Sequence, residues 1–556
     1  MNREAEQHFR ELPEVHIQRS KFFKPHKLNT TFSVGDIVPL YVDPDILPGT
    51  TVNMNMSSVV RLSTPLFPTF DNLFMDYYWF FVPYRLVWTH WVNFWGENPS
   101  PWYPEVEYEI PQITTSGENV FGAKSLGDYM GLPVGVTGLS VSALPFRSYV
   151  KIWNDWFRST PLQQEAANVT TDTDYTAGKV ALDGNLYAFR GGALLKANKY
   201  FDYFTGCLPT AQRGPEVTLP LGSWAPVYPR TTETEDVRTL GETKTSMWMR
   251  PVGDTNFTTG VHTMTISKGS NDYSTTGALS ATTSGTNIVA YPSNLWADLS
   301  NATSASISTL RQSIAVQHFY EAAARYGTGR YTEFLRGIFG VTSPDARLQR
   351  SEYLGGKRVP LNIQTVVQTS STDATSPQGN TGAYSHTADT DEYFTKSFTE
   401  HGVLMCLGVC RYHHSYSQGI PKGWSRKKWH EFYLPQFEGL SDQPVLLKEL
   451  YAQGTTDDDT VFGYQEYGAE YRYFPDMNTA EMRPTYAQTL DAWHYGDHYT
   501  QEPVLGSTWI AEDKGNVDRT LVVSSGLSDQ IIGNFYFNPT YVMPMPIYNI
   551  PGLDTI

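Results

Sequence analysis

The chain has 556 residues and a net charge of −16, with 18% charged residues, 14% aromatic residues and many Gly and Pro residues. An acidic balance of this size excludes a protein that neutralises nucleic acid by itself, because such proteins are usually basic. Three cysteines, Cys207, Cys406 and Cys410, are too few for a secreted disulfide framework, and the composition favours strands joined by long loops over helical bundles.

The N-terminus is charged and has no apolar stretch, so no secretory signal is predicted. Residues 16–28, HIQRSKFFKPHKL, contain four cations and no acid, and Pro25 and the lack of periodicity predict an extended arm. Two interpretations stay open: a solvated terminus, or an arm that contacts phosphate groups or a neighbouring subunit. The candidate nucleic-acid contacts in this arm are Arg19, Lys21, Lys24 and Lys27.

Residues 31–52 predict two short strands around a turn rich in Pro, Asp and Gly. The stretch at 75–96, MDYYWFFVPYRLVWTHWVNFWG, is rich in rings, but its charged residues and Pro83 exclude a transmembrane helix of ~20 apolar residues. MDYYWFFV predicts a strand covered on both faces, and Pro83 can end that strand and begin a helix. One face of this helix is predicted to lie partly in the core and partly at a subunit contact, with a ligand-stacking platform as the alternative; its members are Trp88, Trp91 and Trp95.

The middle of the chain alternates between helical and loop-like composition. Residues 149–158, YVKIWNDWFR, predict an amphipathic helix. At 229–297 Thr, Ser, Gly and Asn dominate, which indicates either a disordered linker or a surface excursion, and the length favours an excursion. Residues 308–327, STLRQSIAVQHFYEAAARYG, then predict a helix that ends at Gly327.

The C-terminal part is predicted to return to extended structure. Residues 401–416 predict a long buried strand, residues 459–475 a second strand, and residues 534–552 an extended chain punctuated by Pro. Cys406 and Cys410 lie on the first of these strands, ~13 Å apart in rise. They could share a metal ion only if the strand bent, so we interpret them as core thiols.

Sequence signatures of catalysis and metal binding are incomplete. HEFYL at 430–434 lacks the second His of a zinc protease, GTGRYT at 327–332 follows a helix instead of a strand, and TDTDYTAG at 171–178 lacks the third ligand of a calcium loop. We therefore predict a structural protein with no catalytic residues, no cofactor and no metal ion.

One further segment combines cations with rings. Residues 422–432, KGWSRKKWHEF, contain two tryptophans among basic residues. Such a mixture suits single-stranded nucleic acid, in which each stacked base contributes ~1–3 kcal/mol. A solvated face and a subunit contact are the alternative interpretations. The candidate nucleic-acid contacts here are Arg426, Lys427 and Lys428.

Several longer stretches resemble one protein family. They include TSPDARLQRSEYLGG at 342–356, FGYQEYGAEYRYFPDMNTAEMRPTYA at 462–487 and PMPIYNIPGLD at 544–554. These stretches are similar to the major capsid proteins of the Microviridae, the small icosahedral single-stranded DNA bacteriophages, and in particular to the gokushovirus-like branch. The similarity covers most of the chain, but the block at 229–297 matches no pattern of the family.

The resemblance implies a mainly β protein, an eight-stranded antiparallel jelly roll of the viral capsid type with long loop and helix insertions. It implies a basic arm at 1–30 that faces the capsid interior, a first part of the jelly roll at 31–228 and a surface insertion at 229–297 that forms a threefold protrusion. Residues 298–556 would hold the remainder of the jelly roll and an extended C-terminal segment. Sixty copies are expected to form a T=1 icosahedral shell around a circular single-stranded DNA genome.

The same resemblance implies the partners of the chain. These are further copies of itself, viral single-stranded DNA, a small basic DNA-binding virion protein and a host-surface receptor, with no membrane insertion. The expected location is the virion, after assembly in the host bacterial cytoplasm. Two alternatives stay open: a glycan-binding phage fibre or spike protein, and a glycoside hydrolase with scattered carboxylates.

Overall fold

The computed structural model describes most of the chain, and the chain forms two compact units. The first unit comprises residues 1–213 and 321–556, and the second comprises residues 214–320. The described residues are 17–97, 107–178, 184–212, 214–215, 217, 307–326, 329–370, 378–379, 381–439 and 442–548, together with five short strands between 227 and 297.

Among the described residues of the first unit, ten strands build two large antiparallel sheets. One sheet contains β1, β2, β4, β7, β9 and β10, and the other has the order β6-β5-β8-β3. In chain order the strands are β1 Ser20–Phe23, β2 His26–Phe32, β3 Ile37–Ile46, β4 Thr51–Leu62, β5 Leu73–Pro83, β6 Glu352–Leu361, β7 Thr387–Ser397, β8 Gly402–Tyr412, β9 Ile531–Phe537 and β10 Thr540–Met543.

Strand β4 is the centre of the six-stranded sheet. Strand β7 pairs along one edge of β4, while β9 and β10 follow each other along the other edge. Strands β2 and β1 pair in turn with β9 and β10. Pro25 and Pro539 lie at the two breaks, where a residue without a backbone N–H interrupts the ladder least. One interrupted strand, β9 with β10, therefore runs beside β4, and a second, β2 with β1, runs beside the first.

The main core lies between the two sheets. Buried and partly exposed residues alternate along β4, as expected for a strand with one covered face. Aromatic rings cross the gap between the sheets: Tyr41 of β3 lies 5.0 Å from Phe537 of β9, and Trp79 of β5 lies 5.5 Å from Phe394 of β7, measured between ring centroids. These contacts make the two sheets a sandwich with a shared apolar interior.

The four-stranded sheet is covered on its second face as well. A second core there joins Phe80 of β5 and Met405 of β8 to the helix α1, Leu144–Ile152, through Phe146 and Tyr149. Strands β5 and β8 are consequently buried on both faces, which explains their largely apolar sequences. The prediction of a doubly covered strand at MDYYWFFV is confirmed, and so is the buried strand within 401–416.

Helices and short strands occupy the long connections. Helix α1 continues as a π-helical turn at Trp153–Phe157; α2 is Ile307–Tyr326 and α3 is Tyr331–Phe339. Short helical segments are Tyr84–Leu86, Trp91–Phe94, Leu126–Tyr129, Gly184–Tyr187, Ala188–Arg190, Lys422–Ser425, Trp429–Glu431, Pro435–Phe437, Leu447–Leu450, Thr456–Asp459, Ala469–Arg472, Ala480–Met482, Asp491–Trp493, Ser507–Ile510 and Gly515–Asp518. Short strands of the first unit are Gln112–Thr114, Ser140–Ser142, Tyr175–Thr176, Ile363–Val367, Thr381–Ser385, Gln443–Leu446 and Val461–Gln465.

The second unit contains short antiparallel strands. Met247–Pro251 pairs with His262–Met264 and with Ala290–Pro292, and Leu295–Ala297 pairs with Val227–Pro229. Most of the predicted insertion at 229–297 lies outside the described residues. The predicted helix at 308–327 is confirmed as α2.

Several predicted elements differ from the structure. The arm at 16–28 is extended as predicted, but β1 and the start of β2 hold it in the sheet, so the solvated-terminus interpretation is wrong from Ser20 onward. The two strands predicted in 31–52 are β3 and β4, which are 10 and 12 residues long and not short. Gly49, with φ of +82°, lies in the turn between them, where the left-handed backbone favours glycine.

The predicted strand at 459–475 was too long, because only Val461–Gln465 is a strand and Ala469–Arg472 is a 3-10 turn. The predicted extended chain at 534–552 lies in the six-stranded sheet as far as Met543 and bends at 544–548, and 549–552 lie outside the described residues. Among the residues described here, no helix is both long and apolar enough to span a bilayer.

Candidate assembly and nucleic-acid surfaces

The exposed side of the six-stranded sheet is a polar surface with several cations. We call it the outer sheet face and define it by residues that alternate with core positions: Lys21, Lys27, Asn29, Arg61, Ile532, Asn534 and Tyr536. The strand register places Lys27 beside Tyr536, Asn29 beside Asn534, and Ile532 beside Arg61. A shallow depression of about 750 Å³ lies over Asn29, Arg61 and Asn534. The face therefore combines positive charge, amide groups and an exposed ring.

The four cations predicted for the arm do not share this face. Lys21 pairs in register with Val542, so its side chain lies on the outer sheet face with that of Lys27. Lys24 instead approaches Asp43 at 3.6 Å and lies 4.3 Å over the ring of Tyr541. Arg19 is exposed and precedes β1. Within the described strands, Glu392 of β7 is the one carboxylate that the register places on the outer sheet face.

The basic segment at 422–432 divides into internal and exposed cations. Arg426 forms an ion pair with Glu470 at 2.9 Å and lies 4.6 Å over the ring of Tyr471, so it packs within its own subunit. Lys427 and Lys428 are exposed, and the backbone N–H groups of both donate to the carboxylate of Glu431. The exposed pair lies on a different element from the cations of the outer sheet face.

The three tryptophans predicted to form one helix face have different environments. The chain after Pro83 forms two short helices, Tyr84–Leu86 and Trp91–Phe94, so the single continuous helix is wrong. Trp88 is 0% exposed, and its indole N–H donates to Asp172 at 2.6 Å in the second core. Trp91 is 9% exposed, whereas Trp95 is 59% exposed and stacks on His401 at 4.5 Å. Of the three, only Trp95 presents a large ring surface to a neighbour.

A buried charge cluster joins three strands of the four-stranded sheet. Asp76 of β5 accepts hydrogen bonds from Arg358 of β6 at 2.8 Å, from Arg411 of β8 at 2.6 Å and from the Tyr200 hydroxyl at 2.8 Å. Burial alone raises the pKa of this carboxyl, but the two guanidinium groups outweigh burial and hold the Asp76 pKa below its ordinary value. The sequence shows only that an acidic residue lies within an apolar strand. A buried carboxylate requires a partner of opposite charge, so this position is the sequence feature that could have predicted the cluster.

A second buried cluster surrounds His414, just after β8. Its Nδ1 lies 2.7 Å from Asp497 and its Nε2 lies 2.8 Å from Glu512. Lys199 also reaches Asp497, at 3.4 Å. Burial lowers the pKa of His414, but the two carboxylates outweigh it and raise the pKa to about 9. The imidazole is therefore a buried cation at neutral pH, and the cluster connects β8 to the long segment that precedes β9.

The cysteines are buried free thiols. Cys207, Cys406 and Cys410 have no disulfide partner, and burial raises the pKa of all three well above the usual value. Cys406 and Cys410 lie in the core between the sheets, which confirms their interpretation as core thiols. Across the described ranges, no group of three or more His, Cys, Asp or Glu side chains could hold a metal ion.

Comparisons with known proteins agree over almost the whole chain. The family model described as Capsid protein (F protein) matches residues 10–553. The chain is 42% identical to the capsid protein VP1 of Spiroplasma virus 4 over 97% of this chain and 96% of that one. It is 37% identical to VP1 of Bdellovibrio phage phiMH2K and 34% identical to VP1 of Chlamydia phage 1, each over 99% of this chain and 98% of the relative. The predicted resemblance is confirmed, and the chain belongs to the phage capsid protein (F protein) family and is a structural capsid protein of the virion.

Proposed function

We propose that sixty copies of the chain assemble into a closed T=1 icosahedral shell around a circular single-stranded DNA genome, and that the chain catalyses no reaction. Family membership supports self-assembly. A closed shell made from one protein requires each copy to meet neighbours around several symmetry axes. Assembly takes place in the host bacterial cytoplasm, where the buried thiols stay reduced.

The strand pairing carries the proposal of a viral jelly roll. The eight strands from β2 to β9 are counted here as first to eighth. The first pairs antiparallel with the eighth, the second with the seventh, the third with the sixth and the fourth with the fifth. The eighth strand also pairs with the third, and the seventh with the fourth. This nested order arises when one long antiparallel ribbon rolls into two packed sheets, which is the jelly-roll architecture.

The proposed domains are separated by a long insertion between two strands of this jelly roll. The longest connection runs from the end of β5 at Pro83 to the start of β6 at Glu352 and contains the separate unit at 214–320. We assign the block 229–297 within it to a threefold surface protrusion that contacts the host receptor. Residues 1–30 are proposed to face the interior. Residues 31–228 hold the first part of the roll with helical insertions, and 298–556 hold the remainder of the roll and the extended C-terminal segment.

We propose that the outer sheet face, which points away from the core of the subunit, lines the inside of the shell and contacts the genome. Lys21, Lys27 and Arg61 are concentrated there although the whole chain carries a net charge of −16. Cations attract the phosphates, while Tyr536 and the amide groups of Asn29 and Asn534 suit contacts with unpaired bases. A small basic virion protein supplies the remaining positive charge. Arg19, Lys24, Lys427 and Lys428 are secondary candidates for phosphate contact.

Removal of the three lining cations tests this assignment. The triple variant Lys21→Gln, Lys27→Gln, Arg61→Gln is expected to form particles with a reduced DNA content, because the shell contacts remain while phosphate contacts are lost. For an oligonucleotide bound to the purified chain, three lost phosphate contacts lower the salt-dependence slope by about 2. Absorbance of purified particles at 260 and 280 nm measures the DNA content.

The matched control removes three exposed cations that are not proposed to contact DNA, as Arg336→Gln, Arg347→Gln, Arg472→Gln. We expect a smaller loss of DNA from this triple variant. If the control particles lose their DNA while the lining variant keeps a full genome, the lining is on the wrong face.

Trp95 is the proposed subunit contact among the three tryptophans. Trp95→Ala is expected to lower particle yield while the subunit stays folded, because an exposed ring contributes within about 0.5 kcal/mol to subunit stability. Trp88→Ala is expected to unfold the subunit by removing a fully buried ring, at a cost of about 3–5 kcal/mol. Sucrose-gradient yield and far-UV circular dichroism separate these effects. Full particle yield from Trp95→Ala would remove this residue from the interface.

A further inference from the structure

An aromatic groove opens on the first unit beside the segment 422–432. It has a volume of about 700 Å³, and we name it the aromatic groove. Its floor contains the buried rings of Tyr203 and Phe204, and Tyr203 stacks on Tyr473 with ring centroids 5.1 Å apart. Its rim is formed by Trp424, Phe474 and Met477, together with the cations Lys422 and Arg483.

The large apolar side chains at the rim of this groove are unusually exposed to solvent. Trp424 is 85% exposed and Phe474 is 81% exposed, and Met477 is also largely open. Several large apolar side chains around one concave site mark a binding surface, since scattered exposure of single residues is the ordinary condition. None of these rim side chains belongs to either main core. The aromatic groove therefore has the character of a docking site that the isolated chain leaves uncovered.

The chain itself carries a segment with matching chemistry. After β10 ends at Met543, the sequence continues as PMPIYNIPGLDTI, residues 544–556, which we name the C-terminal segment. Its three prolines fix φ and disfavour helix in the residues before them, so the sequence favours extended polyproline II conformation for the bound segment. In the unbound chain the segment bends just after β10, where the N–H of Met545 donates to the carbonyl of Met543 at 2.8 Å. Extended Pro-rich segments bind in grooves lined by aromatic rings.

The exposed side chains of this segment argue for a neighbour as its partner. Ile547 is 61% exposed and Tyr548 is 82% exposed, so the chain that carries them does not cover them. At ~3.1 Å per residue in a fully extended polyproline II conformation, thirteen residues can reach about 40 Å beyond Met543, which is enough to contact an adjacent subunit. The segment carries one acid, Asp554, and no cation, which complements Lys422 and Arg483 at the groove. The two carboxylates of the groove do not offset these cations at the rim, because Glu470 is paired with Arg426 and Glu449 is buried.

We propose that the C-terminal segment of one copy docks in the aromatic groove of a second copy and thereby ties neighbouring subunits together. This inference rests on the proposed assembly into a shell and identifies one of its contacts. Ile547 and Tyr548 supply apolar side chains to the groove, Trp424 and Phe474 cover the prolines, and Asp554 lies toward the rim cations. Each copy offers one segment and one groove, so the contact is heterologous and repeats around the shell.

Binding of a synthetic peptide tests the docking without assembly. A fluorescein-labelled peptide of residues 543–556 is titrated with the unassembled full-length chain, and fluorescence anisotropy is measured. We expect saturable binding that weakens at least tenfold in Trp424→Ala and in Phe474→Ala. Trp429→Ala, an exposed tryptophan outside the groove, is the matched control and should bind like the parent chain. A peptide with its three prolines replaced by alanine should also bind at least tenfold more weakly.

Three results of the peptide experiment would overturn the inference. They are no binding up to about 1 mM peptide, binding that does not change in Trp424→Ala and Phe474→Ala, and full displacement of the peptide by a short oligothymidylate, which would assign the groove to nucleic acid. A chain shortened to end at Met543 gives a second readout. It should fold, by circular dichroism, and lose at least tenfold in particle yield. Full yield would exclude the contact, while closed particles from the full-length chain would leave the proposed function intact.

Discussion

Replacement of Asp76 by alanine is expected to lower the free energy of unfolding of the subunit by about 3–5 kcal/mol. The reason is that Arg411 stays buried without its carboxylate partner, because its side chain is only 11% exposed beside Asp76. Arg358 and the Tyr200 hydroxyl lose the same acceptor. Urea unfolding of the unassembled subunit, followed by tryptophan fluorescence, measures the change.

A graded control separates the charge from the hydrogen bonds. Tyr200→Phe removes one donor to Asp76 and keeps the ion pairs, so a loss of about 1 kcal/mol is expected. If Asp76→Ala costs less than Tyr200→Phe, the cluster does not hold β5, β6 and β8 together in the way described.

Subunit stability is expected to decline between about pH 6.5 and pH 9 because His414 loses its proton. The folded-state pKa is raised from 6.5 to about 9, so the stabilisation is fully present below pH 6.5 and is lost as the pH rises toward 9. A shift of this size corresponds to about 3 kcal/mol. The groups that face the imidazole are Asp497, Glu512 and the rings of Tyr412 and Tyr416, and Lys199 contacts Asp497.

The other shifted histidines do not interfere with this window. Burial lowers the pKa of His401, and burial followed by the charge of Arg358 lowers that of His413, so both titrate below pH 6.5. Asp497 has a lowered pKa despite its burial, because His414 and Lys199 stabilise the carboxylate. Its contribution is therefore present above the ordinary aspartate range and is lost only at strongly acid pH.

The matched variant for this prediction is His414→Gln. It keeps hydrogen-bonding capacity but cannot become a cation, so it should be less stable than the parent at pH 6 and should show a flatter profile between pH 6.5 and 9. Urea midpoints at pH 6, 7.5 and 9 give the comparison. An unchanged decline in His414→Gln would place the titrating group elsewhere.

Local sequence patterns predicted the individual strands and helices of this fold better than they predicted which strands pair with each other. The apolar run of β5 and the helix α2 follow from spacing and composition alone. Strand β1, in contrast, pairs with residues about 520 positions away. The sequence of the basic arm that contains β1 therefore did not predict that the arm is part of a sheet. The jelly-roll proposal likewise came from resemblance, because no local signal specifies which strands pair over such distances.

The sites illustrate the same limit. Asp76 lies 282 positions from Arg358 and 335 from Arg411, so its charge compensation is invisible in the sequence. The regular spacing of Trp88, Trp91 and Trp95 predicted one helix face, but the indole of Trp88 is fixed to Asp172, 84 positions later. Tertiary contacts therefore decided which rings are buried: of the three tryptophans predicted to share a helix face, Trp88 and Trp91 are covered and Trp95 is exposed.

The mass of the particle formed by the purified chain tests the central claim most directly. Sixty chains of 62.6 kDa give a closed protein shell of about 3.8 MDa, and native mass spectrometry with electron microscopy of the same sample reports mass and closure together. We predict this species and hollow icosahedral particles. A folded chain that stays monomeric or trimeric under all solution conditions, as a fibre or spike protein would, contradicts the account.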